Sequence, residues 1–197
     1  MGGTARTGDR ILAAASDAFG RRGFEATSLD DLARSLGIRK QTILYWFPSK
    51  EALLAACLDT AAIELAGELE RSLVRADDGW PRVQALVRKA FRLAARRPAL
   101  VGLVREADRL GPPASTRLVE RLSPLVQRAS AWLEGEMAAG RLRRHDPDAV
   151  VLGAYSMLTG LATEVETQRA LGLPTDLRSL VRRERAVERL LRSALTT

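Results

Sequence analysis

Apolar residues recur along this chain at three- and four-residue intervals almost throughout, and no stretch alternates with period two for long enough to propose a sheet. The spacing predicts a first helix over about 9–22, with Ile11, Ala15, Ala18 and Phe19 on one face and Gly23 as its stop. Thr27 is placed to cap a second helix, with Asp30 three residues on in a weak capping box. The apolar stripe of that helix is Leu29, Leu32, Ala33 and Leu36, and Gly37 ends it. A short third helix over about 39–47 is closed by Pro48, whose ring fixes φ and which has no N–H for the helix ladder. Ser49 then caps a long fourth helix with Leu54, Leu58, Ala61, Leu65, Leu69 and Leu73 along one side. Further helices are expected at about 81–96, 98–109, 115–140, 147–171 and 176–195, divided by proline- and glycine-bearing junctions at Pro98, Gly111-Pro112-Pro113, Pro147 and Pro174. The expected fold is all-α, a three-helix N-terminal unit leading into a larger helical body.

Composition narrows the chemistry. The chain has 197 residues, 46% hydrophobic and 28% charged, enough to bury a core and unlike a disordered sequence. Its longest uncharged run, 149–163, is shorter than the about 18 apolar residues a membrane-spanning helix needs. The opening residues contain no apolar stretch resembling a secretory signal, so a cytoplasmic protein is expected. Cys57 is the only cysteine and His145 the only histidine, which excludes an intramolecular disulfide and a cysteine or histidine metal cluster. No glycine-rich phosphate loop or nucleophile–base pairing is present, so neither catalytic residues nor a cofactor are expected. Net charge is +7, which favours polyanionic partners, but only +3 of it falls within residues 1–50, so charge does not locate a binding face.

The informative segment is 28–47, SLDDLARSLGIRKQTILYWF. Two short amphipathic helices meet at Gly37, where a left-handed backbone lets the second cross the first steeply. In a helix–turn–helix the second helix offers its N-terminal residues to base edges in the major groove. Here these are Arg39, Lys40, Gln41 and Thr42, side chains suited to phosphate, guanine or adenine. An ordinary αα-hairpin with a solvated polar face has the same local pattern.

The wider stretch from Thr27 to Leu54 resembles the DNA-binding domain of the tetracycline-repressor (TetR) family of bacterial transcriptional regulators. The resemblance rests on Thr27, Leu29 and Leu32, Ala33, Gly37-Ile38, Trp46-Phe47, Lys50-Glu51 and Leu53-Leu54, with Ala18-Phe19 and Gly23-Phe24 in the first helix. It covers about residues 8–55. The chain departs from the family at two points: Arg39 stands where a capping Ser or Thr is common, and Leu44 where many members have a phosphate-contacting Tyr. Tyr45 either takes over that contact or packs. Ile38, Ile43 and Phe47 are read as core.

The resemblance implies a helix–turn–helix domain over 1–52 and a helical ligand-binding and dimerisation domain over 53–197. Lys40, Gln41 and Thr42 are then expected at base edges, Arg39 at bases or phosphate, and Thr27, Tyr45, Trp46 and Lys50 at the DNA backbone. Dimerisation is expected through about 147–195, whose apolar positions include Val150, Val151, Ala154, Tyr155, Leu158, Leu161 and Val165, then Leu177, Leu180, Val181, Val187, Leu190, Leu191 and Leu195. Phe91, Arg105, Trp132 and Tyr155 are candidate pocket residues for an unknown small-molecule inducer, with Glu106, Asp108 and Gln127 as further polar candidates. Asp146 reads as a helix cap rather than part of a metal or acid–base site, and Cys57 as a buried, inert thiol. The expected function is a homodimeric, ligand-released repressor on a near-palindromic operator. A helical ligand-binding or enzymatic domain, and an accessory DNA binder without an inducer, are the alternatives.

Overall fold

The computed structural model describes residues 2–73, 78–163 and 165–196, with the side chains of 2–6, 72–73, 158–159, 161–163 and 165–167 outside that description. The described residues form ten α-helices and no strand: α1 (Gly2–Arg22), α2 (Leu29–Leu36), α3 (Lys40–Trp46), α4 (Lys50–Leu73), α5 (Trp80–Arg96), α6 (Pro98–Leu110), α7 (Ala114–Ala138), α8 (Pro147–Thr163), α9 (Val165–Ala170) and α10 (Leu177–Leu195). The all-α expectation holds, and most boundaries fall within a residue or two of those predicted, because caps and prolines act locally. Helix α1 starts earlier than its apolar stripe, and the single helix expected over 147–171 is described as α8 and α9. Leu158, Leu161 and Val165 of the expected dimerisation face, and Leu73 of the α4 stripe, lie outside the described side chains.

Two compact units emerge. The first comprises Met1–Glu64 and Pro98–Arg121, the second Leu65–Arg97 and Leu122–Thr197. Helices α4 and α7 therefore each contribute residues to both.

In the first unit, Ile11, Ala15 and Phe19 of α1, Leu32 and Ala33 of α2, Ile43 of α3, and Leu53 and Leu58 of α4 are buried. Helix α6 lies directly against α1, and two glycines allow it. A Cβ at Gly20 would overlap the Ala99 carbonyl oxygen and stand 2.7 Å from its carbon, while a Cβ at Gly102 would overlap the Gly20 carbonyl oxygen. The backbones touch where any side chain would hold them apart. One turn beyond Gly102, the buried Glu106 accepts the Phe24 N–H at 2.6 Å and is held by two 2.8 Å bonds from the Arg109 guanidinium. Those bonds, Arg109's foremost, hold the Glu106 carboxyl below its ordinary range despite burial. Asp59 of α4 is likewise bound by Arg117 and Arg121 of α7.

In the second unit, Val83, Leu133, Met137, Leu142 and Leu195 form one buried cluster, with Trp80, Trp132, Val150 and Val151 packed on it. Val87, Phe91, Val187 and Leu191 form another, bordered by Trp80 and Leu180. Glu136 is buried and bonded to Arg141 at 2.6 and 2.8 Å. Asp146 caps α8, its Oδ1 accepting the N–H groups of Asp148 and Ala149. Cys57, back in the first unit, is fully buried with its Sγ directed at the Leu12 carbonyl at 3.8 Å, and burial pushes its thiol up to about 11. That is the environment of a packing residue.

Candidate nucleic-acid interface

The turn between α1 and α2 sets the first helix of the pair. The sequence suggested Thr27 as the cap of α2, but Ser28 is the cap: its Oγ accepts the Asp31 N–H at 3.0 Å and donates to Asp31 Oδ2 at 2.7 Å. Thr27 is instead fully buried, its hydroxyl donating to the Gly23 carbonyl at 2.8 Å. With no exposed surface, Thr27 has no route to a DNA phosphate through its side chain and leaves the set of contacts. It closes the turn that presents α2.

Gly37 takes φ 65° and ψ 33°, its N–H bonding back to α2, and the Ile38 N–H reaches the Ala33 carbonyl at 3.0 Å. This left-handed stop aims α3 away from α2. Ile43 of α3 is wholly buried and fixes the rotation of the helix. At 100° per residue, Gln41 and Tyr45 then fall on the opposite face, four residues apart; both are exposed, Tyr45 by 80%.

The flanking residues differ in how they are held. Arg39 is the extended N-cap of α3, exposed and without a side-chain capping bond. Lys40 is half-buried, its ammonium paired with Asp30 of α2 at 2.8 Å. Thr42 is half-buried on the same turn. Trp46 is partly buried, its ring against the backbone of Gly8 in α1, and Tyr45 meets it edge-on at 5.9 Å. Trp46 thus anchors α3 to α1. Ser49 caps α4 by accepting the Ala52 N–H at 3.0 Å, and the Lys50 ammonium lies 4.1 Å above the Phe24 ring. Arg39, Lys40, Gln41, Thr42 and Tyr45 are therefore gathered on α3 and its N-terminal flank, with Lys50 just after.

Residues 11–57 of this chain match the family of bacterial regulatory proteins named for tetR. The transcriptional regulator RutR of Escherichia coli K12 is 30% identical over 156 residues, which cover 72% of this chain and 66% of that protein. The chain belongs to the tetR family of bacterial regulatory proteins. The fold agrees. A Saccharomonospora viridis regulator solved in complex with choline superposes with a TM-score of 0.82 at 19% identity, covering 98% of this chain and 99% of that one. FadR of Bacillus subtilis, solved with stearoyl-CoA, gives 0.79 at 16% identity over 94% and 98% of the two chains. Helices α2 and α3 are the helix–turn–helix of this TetR-family chain.

The four pocket candidates occupy unlike surroundings. Phe91 is buried in the cluster of Val87, Val187 and Leu191, whereas Trp132 borders the other cluster of the same unit. Tyr155 is 39% exposed on α8, and Arg105 is exposed on α6 of the first unit. Glu106 is committed to Phe24 and Arg109 rather than to a ligand. Sequence reading missed the roles of Asp30, Phe24 and Glu106 because each depends on a partner 10 to 82 residues away.

Proposed function

We propose that this TetR-family chain is a ligand-responsive DNA-binding transcriptional regulator, a cytoplasmic repressor acting as a homodimer on a near-palindromic double-stranded operator. One observation carries the reading. The face of α3 opposite the buried Ile43 presents Gln41 and Tyr45 to solvent, with Arg39 and Lys40 beside them. That is what a recognition helix requires, one side locked into its domain and the other free to read base edges. In this reading Gln41, Lys40 and Thr42 face bases, Arg39 bases or phosphate, and Tyr45, Trp46 and Lys50 the DNA backbone.

A single short helix reads few base pairs, so a second copy supplies the other half-site. Leu152 and Tyr155 of α8, and Leu177, Val181 and Leu190 of α10, are exposed apolar residues within the 147–195 segment expected to dimerise. Paired in an isologous interface, they would cover one another. Choline and stearoyl-CoA, bound by two proteins of this fold, support a small-molecule inducer as a class without choosing its chemistry. Helix α4, which begins at the helix–turn–helix and ends in the other unit, is the proposed carrier of the inducer's effect. A ligand that favours the DNA-incompetent state by about 1–3 kcal/mol lowers operator affinity roughly 5–150-fold.

Selection of bound duplexes from a random pool, followed by a gel shift on the selected site, tests the reading. Replacing residues 39–42 together by alanine should abolish selective binding while leaving the helical circular dichroism unchanged. Undiminished operator affinity in that folded variant removes α3 as the recognition element.

A further inference from the structure

The chain has three lysines, and the structure holds the ammonium group of one differently from the other two. Lys40 is paired with Asp30 at 2.8 Å and Lys89 with Glu68, so both charges are partly neutralised within the fold. Lys50 sits instead over an aromatic face, its Nζ 4.1 Å from the centroid of Phe24. The adjacent Glu51 carboxylate is held below its ordinary range by its own backbone N–H foremost, then by the Ser49 hydroxyl and, more weakly, by the Lys50 charge. A ring quadrupole attracts a cation without cancelling its charge or occupying its N–H donors in the way a carboxylate does.

Phe24 is itself held at two points. Its ring tilts against the buried Phe19 at 5.6 Å, and its N–H donates to the buried Glu106 carboxylate at 2.6 Å. The face under Lys50 is therefore fixed from α1 on one side and from α6 on the other. A flexible four-carbon stem ordinarily loses rotamer freedom when its ammonium meets a phosphate. Here part of that ordering is already present in the free protein.

We infer that Phe24 is a positioning residue for DNA binding, its ring placing the Lys50 ammonium for a backbone phosphate while leaving its N–H donors available. This rests on the DNA-binding reading above. Its effect is sequence-independent, because phosphate contacts carry no base information directly. A cation–π contact at a partly exposed site corresponds to a change of about 2–5-fold in affinity.

The test uses the full chain and a fluorescein-labelled mixed-sequence DNA duplex, with anisotropy titrations across a range of salt. Phe24→Leu keeps an apolar side chain against Phe19 but removes the aromatic face; it should weaken binding about 2–5-fold. Phe24→Tyr keeps the face and should retain the wild-type affinity. Lys50→Ala should flatten the slope of log affinity against log salt by about 0.9 for each protomer bound. In that background Phe24→Leu should have no further effect. In the free protein, the ring current of Phe24 should shift the Lys50 ε-methylene protons upfield, and Phe24→Leu should abolish the shift.

An equal loss from Phe24→Leu with and without Lys50 would mean that the ring serves only packing, and would overturn the inference. So would an unshifted ε-methylene signal, or unchanged affinity in Phe24→Leu. Failure of the wild-type chain to bind any duplex would instead remove the DNA-binding reading, and the inference with it.

Discussion

Replacing Gly20 by alanine puts a methyl group where α1 and α6 leave no room. The added Cβ would overlap the Ala99 carbonyl oxygen and lie 2.7 Å from the carbonyl carbon, against 3.4–4 Å for an ordinary contact. These are backbone atoms of a helix, so no side-chain rotamer can swing away, and α6 itself must retreat. Overpacking of this kind costs roughly 1–3 kcal/mol. Alanine's better helix propensity offsets up to about 1 kcal/mol, and less here because Gly20 lies in the last turn of α1. We therefore expect net destabilisation, read as a fall in Tm at about 2–4 °C per kcal/mol for a chain of this size. Retreat of α6 would also stretch the 2.6 Å bond from the Phe24 N–H to Glu106, so DNA affinity should fall with stability. Gly135 provides the control. It lies in the last turn of α7, exposed, with nothing within 4 Å of a Cβ placed there, and Gly135→Ala should stabilise by up to roughly 0.5 kcal/mol, the lower end of the helix-interior gain. Thermal and urea unfolding followed by circular dichroism would compare the two. If Gly20→Ala proves as stable as the wild type while Gly135→Ala is stabilised, the close α1–α6 approach is wrong as described.

Asp30→Asn should free Lys40 from its internal carboxylate partner; affinity for a mixed-sequence duplex should rise by up to about 1 kcal/mol in anisotropy titrations, and a fall would show that Asp30 instead orients Lys40 for contact. Leu190→Arg, at a residue 61% exposed on α10, should convert the proposed dimer to monomer in sedimentation velocity without loss of helicity, because two-fold symmetry places the charge twice in one interface. Acid should expose the Glu106 contact: its folded carboxyl lies below the ordinary 4.5, so its stabilisation is complete above that value and is lost as pH falls through and below it. Urea midpoints measured from neutral to acid pH should decline in that window, and Glu106→Gln should show a shallower decline; an identical pH profile would place the titration elsewhere.

Much of this architecture was determined by the sequence alone, and the reason is locality. Gly37, Pro48, Ser49, Asp146 and Pro147 act on backbone within a few residues of themselves, so the ends of α2, α3, α4 and α8 could be read directly. The apolar stripe of α2 likewise announced which face is covered, as the buried Leu29, Leu32 and Ala33 show. The apolar positions of α10 instead divide between the buried Val187, Leu191 and Leu195 and the exposed Leu177, Val181 and Leu190. The helix–turn–helix was legible because its chemistry is crowded into a single stretch of chain. Even there, locality failed by one position at Thr27 and Ser28, two hydroxyl residues equally able to cap; only the buried turn from Gly23 assigns Thr27 to the interior. Contacts between distant segments had no such signature. Glu106 reads as a polar candidate for a ligand pocket, and nothing near it in the chain reveals the Phe24 N–H that draws the carboxylate inward. Phe91 and Trp132 read alike as large apolar residues, yet tertiary packing sent them to different clusters. Gly20 and Gly102 carry no local signal of their role, which is the absence of a side chain that the crossing of α1 and α6 demands. Periodicity says which face of a helix is buried, but the partner it meets, and how closely, is decided only when the whole chain packs.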